Sequence, residues 1–119
     1  VNPGANPAAL QLGQRLDELH AVIEQMKAAE VDAVRARHAA NVAEWKAFLW
    51  ASGAMELRKI TARLEVEALT FAADMAEAKV RHLGRMIKEA QARIDAGRTY
   101  SSDLRAELSV LGRTPGTST

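Results

Sequence analysis

The chain has 119 residues, enough for one small domain, and its 16 basic and 15 acidic side chains leave a formal charge of +1. It has no cysteine, which excludes disulfides and thiolate metal sites. The near-neutral balance also removes the simplest case for a nucleic-acid protein, a strong overall basic excess. Hydrophobic residues reach 48% because alanine is so common, whereas aromatics stop at 4%. Such an alanine-rich, charge-rich composition, with only 3 prolines, reads as long helices. No run approaches the ~20 apolar residues that span a bilayer. The opening "VNPGANPAAL" lacks the basic region and apolar core of a secretory signal. The expectation is a soluble cytoplasmic protein with no membrane partner.

In chain order, residues 1–8 contain two prolines and a glycine and are expected to form a flexible tail. A first helix is predicted over about 9–50. Leu12, Leu16, Leu19, Ile23 and Met26 follow alternating steps of four and three, a heptad seam. The seam then slips and resumes as Val31, Val34, His38, Val42, Trp45 and Leu49, a shift that resembles a stutter. Ser52-Gly53 is predicted to be the turn of a helical hairpin, because one uninterrupted rod from 9 to 96 would be roughly 130 Å long at 1.5 Å per residue. Folding there sets Trp45 opposite Ile60 and Ile23 opposite the neighbourhood of His82.

A second helix is predicted over about 54–96, with two apolar stripes. The first is Leu57, Ile60, Leu64, Ala68, Phe71, Met75 and Ala78; the second is Leu69, Ala73, Ala76, Val80, Leu83, Ile87, Ala90 and Ile94. A two-helix hairpin needs one stripe per helix, so the second stripe is expected to meet the third helix or another chain, with oligomerisation favoured; the alternative is one wide stripe that drifts around the helix. Gly97 is predicted as a C-terminal cap. A short third helix over about 102–111 follows, capped by Ser101 or Ser102, with Leu104, Leu108 and Leu111 on its apolar side. Gly112 and Pro115 end it, and 113–119 are expected to be disordered.

Chemistry is sparse. The histidines are His20, His38 and His82, and the predicted register brings His20 and His82 to one level near Asp17 and Glu24. The repeated Glu-x-x-His of a carboxylate-bridged metal pair is absent, so these read as packing residues and no metal is expected. No glycine-rich phosphate loop and no nucleophile–base arrangement occurs, so no catalytic residue, enzyme activity or cofactor is expected. Residues 79–98 hold six basic and two acidic side chains. Lys79, Arg81, Arg85, Lys88, Arg93 and Arg98 form a candidate nucleic-acid stripe, with Tyr100 beside it for base stacking. The alternative is a solvated face paired with Glu24 and Asp17. Trp50, at the end of the first arm, is a candidate protein-binding anchor, as are Leu69, Val80, Leu83, Ile87 and Ile94 of the second stripe.

Tryptophan and glycine at a hairpin turn resemble the secreted WXG-type proteins of actinobacteria. Trp50-Ala51-Ser52-Gly53 is one residue too long for W-x-G, and Tyr100 is followed by Leu104 where that family's secretion signal has an acidic residue. The stretch Gly53–Leu108, with "ELRK", "AEAKVR", "DAGR" and "LRAEL", resembles small Ala/Arg-rich helical accessory proteins of bacteriophages of high-GC hosts. That resemblance implies a phage setting and leaves the activity open; some such proteins sit among replication and recombination genes, and a scaffold role there is the leading expectation. The expected protein is thus an all-α antiparallel hairpin with a short C-terminal helix, one domain over 9–112, associating into a coiled-coil-like dimeric bundle. Its expected partners are its own copies, nucleic acid or a host protein.

Overall fold

The computed structural model describes residues 6–112. The fold is all-α, with α1 (Pro7–Trp50), α2 (Met55–Glu65) and α3 (Glu67–Gly112). The described residues divide into two compact units, 22–85 and 6–21 with 86–112.

The first helix starts two residues earlier than expected, and for a local reason. Asn6 Oδ1 accepts the Ala8 N–H at 2.9 Å, and the Asn6 carbonyl accepts from Leu10. Asn6 is thus an N-cap and Pro7 fills the first helical position, where its missing N–H costs nothing. The expected tails over 1–5 and 113–119 lie outside the described residues.

In the unit 22–85 the chain folds back at Ala51–Ala54, as expected for a hairpin. Gly53 takes a φ of +105°, open to glycine and strained for any L side chain, and a Cβ there would sit 3.1 Å from Leu57 Cδ2. Arg58 closes the turn. Its Nη2 donates to the Phe48 carbonyl at 3.0 Å, a carbonyl that also accepts from the Ala51 N–H at 3.3 Å, and its guanidinium lies 4.4 Å from the centroid of the Phe48 ring.

The helices then run antiparallel. Ala47 packs against Ala62 and Val66, Arg37 meets Asp74 and Glu77, and Met26 lies over Gly84. This register differs from one centred on Ser52-Gly53, which would pair Trp45 with Ile60.

The seam is made of different residues from those expected on α1. Buried or half-buried positions recur at seven-residue intervals without a stutter: Met26, Ala33, Ala40 and Ala47 on one row, Val22, Ala29, Ala36 and Ala43 on the other. Ala40 is 2% exposed. The large residues assigned to this seam lie outside it, with Val31, Val34, His38, Val42, Trp45 and Leu49 all exposed. Alanine wins because small side chains let two helices approach toward the low end of the 8–10 Å range, where backbone and Cβ atoms make the dispersion contacts.

On the returning arm the seam runs through Ala62, Val66, Ala73, Ala76, Val80 and Leu83. This is the second stripe of the sequence. It is covered by α1 within the same chain, so its burial needs no second copy. The first stripe is the outer one: Leu57, Ile60, Leu64, Phe71 and Met75 are exposed. The returning arm is also split, with Val66 between α2 and α3; its N–H still reaches the Ala62 carbonyl, and its own carbonyl accepts from Thr70. The seam spacing passes through this residue unchanged.

In the other unit, Leu12, Arg15 and Leu19 of α1 and Ile87, Ala90, Ile94, Gly97 and Ser101 of α3 are the inward positions. Gly97 does not end a helix: α3 continues to Gly112, so residues 102–111 are helical as expected but are not a separate element. One glycine costs about 1 kcal/mol in a helix interior, too little to stop a helix that packs on both sides of it. The short helix of this fold is α2.

Candidate functional site

Three surface features survive once the seams are accounted for. The first is the apolar exterior of the unit 22–85. Trp45 is 69% and Trp50 88% exposed, and they share this exterior with Val34, Leu49, Leu64 and Phe71. The Arg37 cluster sits beside the seam: its Nε and Nη2 donate to Glu77 Oε1 at 3.0 and 2.6 Å, and Nη2 also donates to Asp74. The hydrogen bonds to Glu77 and then Asp74 raise the guanidinium pKa above its ordinary value, so it stays charged. These contacts cross between the two arms and fix their register. The sequence reading passed over Arg37, whose signal was an arginine facing two acids across the hairpin at a level visible only once the register is known.

The second feature is the basic set on α3. Lys79, Arg81, Arg85, Lys88, Arg93, Arg98 and Tyr100 are all exposed. None of the six cations forms an ion pair among the described residues, so the expected pairing with Glu24 and Asp17 is not made. Glu24 pairs instead with Lys27 at 3.1 Å on its own helix. The six do not form one stripe. In the unit 22–85, Arg81 and Arg85, four residues apart, share a side of α3 away from the seam, whereas Lys79 falls beside it; Lys88, Arg93 and Arg98 belong to the other unit.

The third feature lies in the other unit, where the first residues of α1 and the last turns of α3 enclose an open cleft of about 380 Å³. Arg15, Arg98, Tyr100, Ser101, Ser102 and Arg105 line it.

Of the expected protein-binding set, Trp50 is open to a partner. Leu83 and Ile94, 4% and 3% exposed, are buried in the intrachain seams, and Val80 and Ile87 are half-buried there. They are packing residues of the intrachain seams and not the free protein-binding face expected; Leu69 lies on the seam row but is 45% exposed. The histidines are exposed, and no group of three or more metal-ligating side chains comes together among the described residues. No helix among them is long and apolar enough to cross a membrane. No family model, curated protein or solved structure matches the chain.

Proposed function

We propose that this chain is a non-enzymatic accessory protein that self-associates, through the outer faces of its 22–85 hairpin, into a coiled-coil-like helical scaffold. The observation that carries the reading is the inversion of the hairpin: alanines fill the seam, while Val34, Trp45, Leu49, Leu64, Phe71 and other large apolar side chains lie outside. A soluble monomer rarely exposes contiguous apolar surface beyond a few hundred Å². A second copy covering these stripes offsets the cost of exposing them and supplies the burial that an alanine seam lacks. The exposed Arg81 and Arg85 of the hairpin, and Lys88 in the other unit, free of ion pairs among the described residues, give the assembly contacts for nucleic-acid phosphates. The resemblance of Gly53–Leu108 implies a phage setting, with replication or recombination of phage DNA in the host cytoplasm as the leading expectation.

Light scattering on the eluted protein tests the reading. An assembly of two or more chains is expected at micromolar concentration, with tryptophan emission moving to shorter wavelength as it forms. Val34→Gln with Phe71→Gln is expected to yield a monomer of unchanged helicity. A wild-type monomer at ~100 µM, with red-shifted tryptophan emission, overturns the proposal.

The exposure of Trp50 favours a second reading, a protein-binding adaptor or inhibitor that presents the turn to a host protein. On that reading Trp50→Ala abolishes partner binding and leaves the oligomeric state alone.

A further inference from the structure

The cleft lined by Arg15, Arg98 and Arg105 holds an arginine where the fold least accommodates one. Along α1 the inward row reads Leu12, Arg15, Leu19, Val22, Met26 and then alanine, so Arg15 is its only charged member. On the returning arm the inward row from Val66 to Ser101 carries no charge. An arginine at such a position forgoes the burial that leucine would supply, and it makes no ion pair among the described residues. Among the described residues its hydrogen bond is from Nη1 to the Arg93 carbonyl at 3.3 Å. Gly97 makes the room: a Cβ there would lie 3.2 Å from Arg15 Nη1. A helix-destabilising glycine thus stands where it lets a guanidinium without an ion pair among the described residues lie against α3, in a cleft that Arg98 and Arg105 also line.

We infer that this cleft is a phosphate site for single-stranded nucleic acid, with Arg15, Arg98 and Arg105 on the backbone phosphates and a base stacked on Tyr100. The charge of the wall selects the ligand. Three arginines line the cleft, and no carboxylate lines it among the described residues, although the chain is almost evenly balanced between acids and bases. Asp103, adjacent in sequence, is not in the wall. Guanidinium groups suit phosphate through paired N–H donors, and the Ser101 and Ser102 hydroxyls add short donors. The Tyr100 ring is 70% exposed at the rim, open to a base on one face. The volume, at the small end of the roughly 300–1,000 Å³ typical of ligand sites, has room for one nucleotide unit. The start of α1 is not needed as an anion site, since Asn6 already caps the Ala8 N–H. The site is distinct in its residues from Arg81, Arg85 and Lys88, and it rests on no assumption about self-association.

The test uses the full chain and a labelled 20-nucleotide oligo-dT, with anisotropy read across a salt series. Arg15→Gln combined with Arg98→Gln and Arg105→Gln is expected to weaken binding about tenfold or more at low salt. It should also flatten the logarithmic salt slope by roughly 2, the share of three single-strand phosphates. Arg105→Gln alone, at an exposed position outside the seam, is expected to weaken binding without changing helicity, which separates binding from folding. Tyr100→Ala should lower affinity without changing the salt slope. Oligo-dT binding that survives the triple change but is lost in Arg81→Gln with Arg85→Gln and Lys88→Gln overturns the cleft and leaves those outer cations standing. Free dTMP provides the second arm: if it competes as well as oligo-dT at equal nucleotide concentration, the strand assignment is wrong. Light scattering on the same variants keeps this outcome separate from that of the scaffold.

Discussion

The two units use opposite means to join the same pair of helices. In 22–85 the contact is mostly alanine, with Ala29, Ala33, Ala40, Ala47, Ala62 and Ala73 buried beside Val66 and Leu83, and with Val34, Trp45, Leu49, Leu64 and Phe71 outside. In 6–21 with 86–112 it is Leu12, Leu19, Ile87 and Ile94 that turn inward, with a charged Arg15 among them. The difference shows that hydrophobic size does not locate a helix seam; spacing does. Stability comes in one region from close approach of backbones and in the other from apolar volume. The two respond to opposite substitutions.

The largest effect is expected from removing volume where volume is the support. Ile94→Ala should destabilise the protein by about 2–5 kcal/mol, the usual range for an aliphatic truncation in a core, read by thermal or urea unfolding. Next comes adding volume where its absence is the support. Ala40→Leu inserts three carbons at a site 2% exposed and should cost about 1–3 kcal/mol by overpacking. The comparison fails if Ala40→Leu stabilises the hairpin, since that would mean the alanine seam is loose enough to be filled.

Much of the fold was legible in the sequence. The turn at Ser52-Gly53, the two long arms and the all-α class follow from composition, glycine placement and helical periodicity. The α1 seam was hidden because alanine was read as a helix former and not as a contact residue. The strict sevenfold row Leu12, Leu19, Met26, Ala33, Ala40 and Ala47 stands in the sequence, whereas the larger Val31–Leu49 set drew the assignment. The same bias assigned Leu83 and Ile94 to a partner when α1 covers them. Of the candidate sites, the cations on α3 were legible as charge. Arg37, Arg15 and Arg105 were not, because each gains its meaning from a residue far away in sequence.

A smaller effect is expected at Arg37, which fixes alignment more than it adds burial. Arg37→Gln should lower the midpoint of unfolding less than either seam change, and the loss should shrink as salt rises. A raised arginine pKa contributes stability that is full below the unfolded-state value and lost only as pH rises through the folded one. Both lie in strongly alkaline solution. Between neutral pH and pH 10, therefore, the difference between wild type and Arg37→Gln should not change through titration of this guanidinium. A difference that falls steadily over that interval would assign the effect to another group.

The smallest effects sharpen the comparison most, because three glycines lie inside these helices in three different surroundings. Replacing glycine by alanine at an unstrained helical site gains about 0.4–1 kcal/mol by restricting the unfolded chain. Gly13 has nothing within 4 Å of an added Cβ and should show the full gain. Gly84 would set its Cβ 3.8 Å from Met26 Cε, an ordinary contact with the end of a flexible side chain, so Gly84→Ala should gain about as much. Gly97 would press on Arg15 Nη1 at 3.2 Å, so part of the gain goes into displacing that guanidinium. The expected order of unfolding midpoints is Gly13→Ala and Gly84→Ala together, then Gly97→Ala. Adding Arg15→Ala to the last should restore its missing increment, a coupling that a double-mutant cycle reads directly. Equal gains at all three positions would mean that Arg15 does not rest against Gly97, and the two seams would then differ in side-chain volume alone.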